Sequence, residues 1–312
     1  MKKEISWLSS NQKTMLYGYM WVPETEIKAI LQITHGMKEF IDRYDDFAQY
    51  LNQSGILVVG MDLLGHGKSI QGVDYGFFDE EKGNAYLLED IHQLYLMTHK
   101  RYPNCPYFML GHSMGSFLLR QYLGTYQPKL SGAIIMGTGN QPRLLLNIAS
   151  LLLKFLMAIK GKKAKIHQID QLLNKAFNRS FRPTQTMADW ISRDEKMVAL
   201  YINNPLCTFD FTLVAYHDMV KSLKKMNQNC IYENIPCHLP IFLVAGKQDP
   251  VGNFGKGVKQ LKDRYLKAGF QFVDMKLYPN DRHEILNELD RKQVYDDLKD
   301  WLEKRMGEKK DE

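Results

Sequence analysis

The sequence predicts an α/β fold, with a mostly parallel central sheet flanked by helices and interrupted by an inserted helical segment. Three observations predict it. Short β-rich runs alternate with helical patterns, as βα units require. The runs Lys28–Thr34 and Ile56–Asp62 are apolar almost throughout, as strands covered on both faces are. From Gln141 to Ile235 the alternation stops, the chain reads helical, and strands resume only afterwards.

The elements follow in order. Met15–Val22 and Lys28–Thr34 read as strands, and Glu39–Gln53 as a helix closed by Gly55. Strand Ile56–Asp62 runs into a glycine-rich turn. A helix over Asn84–Tyr102 carries Leu87, Leu88, Ile91, Leu94 and Leu96 at roughly helical spacing. Strand Tyr107–Gly111 leads into helix Met114–Tyr126, and strand Gly132–Gly137 follows. After the insertion come strand Leu239–Ala245, helix Lys256–Ala268, strand Gln271–Tyr278 and a helix from Arg291. The domain division is therefore a sheet core over 1–140 and 236–312 and a helical cap over 141–235.

Charge supports that boundary. The insertion holds 14 Lys/Arg and 7 Asp/Glu, whereas the whole 312-residue chain has 41 and 35, a formal net of +6. All of the excess positive charge sits in the insertion. The balance is too weak to imply nucleic acid, and 45% apolar with 24% charged residues excludes disordered, collagen-like and coiled-coil chains. Four cysteines, Cys105, Cys207, Cys230 and Cys237, make no disulfide framework and no CxxC pair. The two N-terminal lysines precede no apolar signal core, so the expectation is a reducing cytoplasm. No run reaches the ~18 apolar residues of a spanning helix.

Gly111-His112-Ser113-Met114-Gly115 carries the chemistry. A bare GxSxG arises by chance in about one chain in ten; its place between a strand and a helix is what discriminates. A serine in that strained turn stands above the strand's C-terminal edge, and side chains at either glycine would collide with the crossing elements. Serine needs a base, and the base an orienting acid. Of the later histidines, only His283 follows a late strand in a loop; His167, His217 and His238 read as surface or packing residues. Asp249, in the loop after strand Leu239–Ala245, reads as the acid, with Asp281 as the alternative. The His35-Gly36 turn can aim a main-chain N–H at a developing oxyanion, and the N–H of Met114 would be the second donor. Asp62 to Ser69 is glycine-rich but lacks a phosphate-loop pattern, so His66 and Asp62 read as loop ties. No cluster of metal ligands or dinucleotide fingerprint stands out, and no cofactor or metal is expected.

These residues together resemble the α/β-hydrolase fold, and within it the monoacylglycerol lipase / lysophospholipase group, described as serine aminopeptidase S33. The resemblance rests on HisGlyMet at 35–37, AspLeuLeuGlyHisGlyLysSer at 62–69, GlyHisSerMetGly at 111–115, GlyLysGlnAspProVal at 246–251 and AsnAspArgHisGluIleLeuAsnGlu at 280–288. TrpIleSerArgAspGlu at 190–195 and AsnProLeuCys at 204–207 also fit. It implies a Ser113, Asp249, His283 triad, Met37 and Met114 as oxyanion donors, a helical cap, and hydrolysis of small single-chain lipid esters. One departure is Asn280-Asp281, where the group often has glycine before the histidine.

The insertion hints at what is bound. Leu144–Ile159 shows Asn147, Ser150 and Lys154 as a narrow polar stripe on a largely apolar helix, and Lys160, Lys162, Lys163 and Lys165 follow at once. This pattern suits peripheral contact with an anionic membrane surface through Leu144–Lys165; it equally suits a cap helix packed on the core. Trp190–Tyr201 reads as a second cap helix, and Phe209, Phe211 and Leu213 are candidates for a pocket mouth. Two other functions compete: a peptidase of the proline iminopeptidase kind, and a non-enzymatic receptor on a hydrolase scaffold. The first needs a carboxylate in the cap for the substrate's amino group.

Overall fold

Eight strands form one sheet: β1 (Lys2–Leu8), β2 (Met15–Trp21), β3 (Ala29–Thr34), β4 (Ile56–Met61), β5 (Tyr107–His112), β6 (Gly132–Met136), β7 (Ile241–Gly246) and β8 (Val273–Tyr278). In the computed structural model, which describes residues 1–307 except Gln71, Val73 and Asn229, their spatial order is β1-β2-β4-β3-β5-β6-β7-β8. The first two strands are antiparallel to their neighbours and the other six run parallel.

β3 through β7 are buried at every residue. Alternate residues enter two separate cores, because successive side chains leave opposite faces of a strand. Ile30, Leu57, Val59, Met109 and Ile135 pack on one face; Leu31, Ile33, Val58, Phe108 and Leu110 pack on the other. Helices α1 (Asp45–Asn52) and α10 (Arg291–Gly307) cover the second face. Helices α2 (Gly83–Arg101) and α3 (Met114–Tyr126), with the insertion above them, cover the first.

The chain reverses its direction of travel at β3. β4 lies on one side of it and β5 on the other, and ligands bind beyond the C-terminal strand ends at such a switch point. Thr34 pairs with Gly111 in the ladder, so the loop after β3 and the turn after β5 leave the sheet side by side.

Between β6 and β7 lie α4 (Arg143–Lys160), α5 (His167–Phe177), α6 (Glu195–Ile202), α7 (Leu213–Met226) and α8 (Cys230–Glu233). Among the described residues no strand occurs there, only an isolated bridge between Lys165 and Thr212. Helix α9 (Lys256–Lys267) joins β7 to β8.

Three elements depart from the sequence expectation. β1 was not anticipated: it is an edge strand exposed at five of its seven residues, so it lacks the apolar alternation that marks a half-buried strand. The helix expected from Glu39 begins only at Asp45, after a 3-10 turn at Ile41–Tyr44, because Glu39 is drawn inward by other partners. The helix expected over Trp190–Tyr201 begins at Glu195, where the Asp194 side chain accepts from the Lys196 N–H and caps it.

Candidate active site

β5 ends in a sharp turn at Ser113. Ser113 has φ 50° and ψ −118°, a strained conformation for a residue with a side chain. Its N–H donates to Met136 O at 3.0 Å, and its carbonyl accepts from Ser116 Oγ at 2.6 Å. Both flanking glycines are obligatory. A Cβ on Gly115 would stand 2.0 Å from Thr34 O, and one on Gly111 would stand 2.4 Å from Gly115 O.

The structure brings together the three residues that the sequence singled out from separate loops. Ser113 Oγ lies 2.9 Å from His283 Nε2, and His283 Nδ1 lies 3.0 Å from Asp249 Oδ1. Asp249 is fully buried and His283 nearly so, while Ser113 is partly open. Asp249 Oδ1 also accepts the Val251 N–H at 2.8 Å, which fixes the carboxylate in its own loop. Asp281 takes no part: it faces Arg193, at 2.6 Å.

The loop after β3 closes against the serine. A Cβ on Gly36 would lie 2.9 Å from Ser113 Cβ, so Met37, which follows, stands beside the turn that carries Met114. His35 fixes the start of this loop. Its Nε2 accepts the Leu63 N–H at 2.9 Å, which leaves the proton on Nδ1 to donate to Gly36 O at 2.8 Å. Burial holds this imidazole below its usual range.

Glu39 was not singled out from the sequence, yet it organises the loop. Its Oε1 accepts from the Gly36 N–H, from His112 Nδ1 at 2.8 Å and from Tyr44 Oη at 3.2 Å. Burial works against a charged carboxylate here, but the His112 ring and Arg43 outweigh it and hold Glu39 well below the usual range. Burial likewise opposes a charge on His112, and Glu39 overcomes it, so the imidazole is raised. Arg43 forks onto Glu284 at 2.8 and 2.7 Å, and Glu284 adjoins His283 in the chain. One buried network therefore backs both the loop after β3 and the histidine loop. The only local sign in sequence is a glutamate three residues after Gly36.

The insertion contacts the site through α5 and the stretch before α6. The Trp190 ring lies 4.9 Å from the His283 ring, and Trp190 Nε1 donates to Asn174 Oδ1 at 3.0 Å. Asn174 in turn donates to Asp170 Oδ2 at 3.1 Å, and Asp170 Oδ1 pairs with Lys38 Nζ at 2.9 Å, both side chains buried. Phe211 and Leu213 are fully buried in the core and do not line a mouth: the Phe211 ring packs on Phe78 and His66.

Asp62 and His66 tie their loop, as expected. Asp62 Oδ1 accepts the Ile41 N–H and Oδ2 the Lys68 N–H, each at 2.8 Å. His66 is caged by Phe78, Phe209 and Phe211, and burial, aided by nearby His35, pushes its imidazole down to about 3. An unfolded His66 takes a proton below about pH 6.5; the folded one refuses it until about pH 3. Its contribution to stability is thus complete at pH 7 and is lost as pH falls from about 6.5 toward 3. Thermal unfolding midpoints should drop across that window, and His66→Phe should flatten part of the drop. An unchanged slope in the variant would assign the acid sensitivity elsewhere.

The comparisons agree with this geometry. Residues 25–290 match the family model described as serine aminopeptidase, S33. A monoacylglycerol lipase of Mycolicibacterium smegmatis is 26% identical over 286 residues, 91% of each chain. A monoglyceride lipase of Rattus norvegicus is 26% identical over 94% of this chain and 88% of its own. A solved carboxyl esterase of Bacillus coagulans, in complex with glycerol, superposes with a TM-score of 0.90 at 30% identity, covering 98% of this chain and 99% of that one. The chain belongs to the S33 serine aminopeptidase family and is an α/β-hydrolase of the monoacylglycerol lipase group.

Proposed function

We propose that the protein hydrolyses single-chain lipid esters, monoacylglycerol or lysophospholipid, through an acyl-enzyme on Ser113, working against a lipid surface. The contact between Ser113 Oγ and His283 Nε2 carries this reading. His283 takes the hydroxyl proton as Oγ attacks the ester carbonyl, and Asp249 holds the ring in the needed tautomer and steadies its cationic form. The N–H groups of Met37 and Met114 receive the oxyanion. The C–O bond breaks, the alcohol leaves with the proton from His283, and water releases the fatty acid by the reverse sequence. Residues 141–235 serve as the cap. No step asks for a cofactor.

Helix α4 supports the lipid substrate. Its buried residues are Leu146, Ser150 and Leu153. Leu144, Leu145, Ile148, Leu151, Leu152, Phe155 and Ile159 are all exposed, Leu144 and Leu151 at 72%. Of the polar stripe, Ser150 turns into the protein with Leu146 and Leu153 while Asn147 and Lys154 stay exposed, and the seven large apolar side chains face outward, as in helices that lie in a membrane interface. At roughly 1.5 kcal/mol per side chain moved out of water, seven such residues provide about 10 kcal/mol for docking. No described helix is long and apolar enough to cross a membrane.

The peptidase alternative needs an unpaired cap carboxylate; the cap's five aspartates are engaged, which leaves the exposed Glu195 and Glu233. Asp170 pairs with Lys38, Asp210 with His167, Asp218 with Lys221 and Asp194 with Arg291; Asp189 accepts the N–H groups of Gln185 and Thr186. Parallel assays test the choice: p-nitrophenyl esters of rising acyl length, Pro-naphthylamide, and monoacylglycerol beside lysophosphatidylcholine. Turnover should rise with acyl length and be undetectable on the amide. Faster amide cleavage would overturn the lipid assignment, and fluorophosphonate labelling without turnover of any ester would favour the receptor.

A further inference from the structure

Two of the lysines expected to meet an anionic surface, Lys162 and Lys163, are opposed by acids. Lys163 Nζ lies 3.9 Å from Asp74 and 3.8 Å from Glu80, and Lys162 lies 4.0 Å from Glu81. A different set of cations stands without such partners. The groove between α4 and α7 encloses about 240 Å³ and is lined by Lys154 from α4 and by Lys221, Lys224 and Lys225 from α7. A second hollow of about 250 Å³ shares Lys224 and adds Arg143. Among the described residues, Asp218 is the carboxylate paired here, 3.2 Å from Lys221. Lys154, Lys224 and Lys225 have none within ion-pair distance.

The floor of the groove is polar and uncharged. Ser150 Oγ and His217 Nε2 lie 3.3 Å apart, and both side chains are more than nine-tenths buried. Burial first, and then the charges of Lys221, Lys154 and Lys224, push the His217 imidazole down to about 4. The ring is therefore neutral at pH 7, chiefly because it is buried, with the surrounding lysines adding to the effect. Four ammonium groups above a hydroxyl and an imidazole form a receptacle for a group with negative oxygens. The α4 rim of this receptacle is also the edge of the exposed apolar face, with Leu151 and Phe155 flanking Lys154 in the sequence. A ligand seated there meets cations on one side and a docked acyl phase on the other.

We propose that the α4–α7 groove binds the phosphodiester headgroup of an anionic phospholipid. The site rests on the reading that α4 enters a lipid surface, and it would orient the docked enzyme and make docking selective for anionic membranes. Each lysine close to such a surface strengthens partitioning about fivefold.

Flotation of the full chain with phosphatidylcholine vesicles, with and without phosphatidylglycerol, tests the proposal. Wild type should partition on the order of 100-fold more strongly onto the anionic vesicles at low salt, a preference that high salt erases. A triple variant, Lys221→Gln, Lys224→Gln and Lys225→Gln, should lose that preference yet still float with phosphatidylcholine. Lys162→Gln and Lys163→Gln together, whose charges are already opposed by acids, should keep it. All three proteins should cleave a short soluble p-nitrophenyl ester equally, which shows that each is folded. Preference retained by the groove variant, or equal wild-type binding to both vesicles, would overturn the headgroup site and leave lipid docking intact. No wild-type binding to either vesicle would overturn both. Thermal protection of wild type by inorganic phosphate as strong as that by the anionic vesicles would assign the groove to a free anion and overturn the lipid source.

Discussion

Replacing Ser113 by alanine should cut kcat for ester hydrolysis by roughly 10⁶-fold while leaving KM and the unfolding midpoint little changed. The reasoning is geometric. Oγ is the atom within 2.9 Å of His283 Nε2, so its removal leaves the base with nothing to activate but water. The proposed oxyanion donors and cap survive the substitution, so a residue of catalysis on the order of 10³ above the uncatalysed rate should persist. Stability should hold or improve, because the turn's strain resides in the backbone at φ 50° and alanine inherits it without a polar atom to satisfy. Steady-state kinetics on a p-nitrophenyl ester, with labelling by a fluorophosphonate, measures both effects. Near-intact turnover in the variant would remove Ser113 from the reaction.

The elements that place this serine were legible because their signals are local. Helix α3 spans Met114–Tyr126 as read from sequence, since a strand, a glycine turn and a helix start follow one another without interruption. Asp249 and His283 were legible because each lies in a loop after a late strand. Glu39 was not, because its meaning depends on a partner 73 residues away at His112, and Arg43 depends on Glu284, 241 residues away. No periodicity reports such pairs. Helix α4 shows a third kind of limit. Its pattern displays one narrow polar stripe and one wide apolar side, but a pattern contains no statement of which side meets water. Tertiary context decides it: Ser150 finds His217 on α7 and turns inward with Leu146 and Leu153, while Asn147, Lys154 and much of the apolar side stay exposed. The same holds for Lys162 and Lys163 after α4, whose charges are offset by Asp74, Glu80 and Glu81, which only folding brings near.

The two carboxylates that competed for the histidine make the second large prediction. Asp249→Asn should lower kcat about 10⁴-fold, because an amide cannot hold the imidazole's proton on Nδ1 or steady the imidazolium. Asp281→Asn should keep activity within about tenfold of wild type. Asp281 is occupied elsewhere: Arg193 Nη2 lies 2.6 Å from both Asp281 and Asp290, and its Nε lies 3.0 Å from Glu288. Burial, a hydrogen bond with Asp290 and the charge of Glu288 raise the Asp281 carboxyl to about 7 despite Arg193. The folded state thus holds a proton on Asp281 that the unfolded chain, with an aspartate near pH 3.9, has released. Stability from this group is present at low pH and is lost as pH rises from about 4 through 7. Asp281→Asn should therefore unfold at a higher temperature than wild type at pH 8 and converge with it near pH 4, with kcat scarcely altered. Asp249→Asn should show the reverse, a collapsed kcat with no such stability crossover. If Asp281→Asn lost activity on the scale expected for Asp249→Asn, the acid of the triad would have to be reassigned, and with it the loop that orients His283.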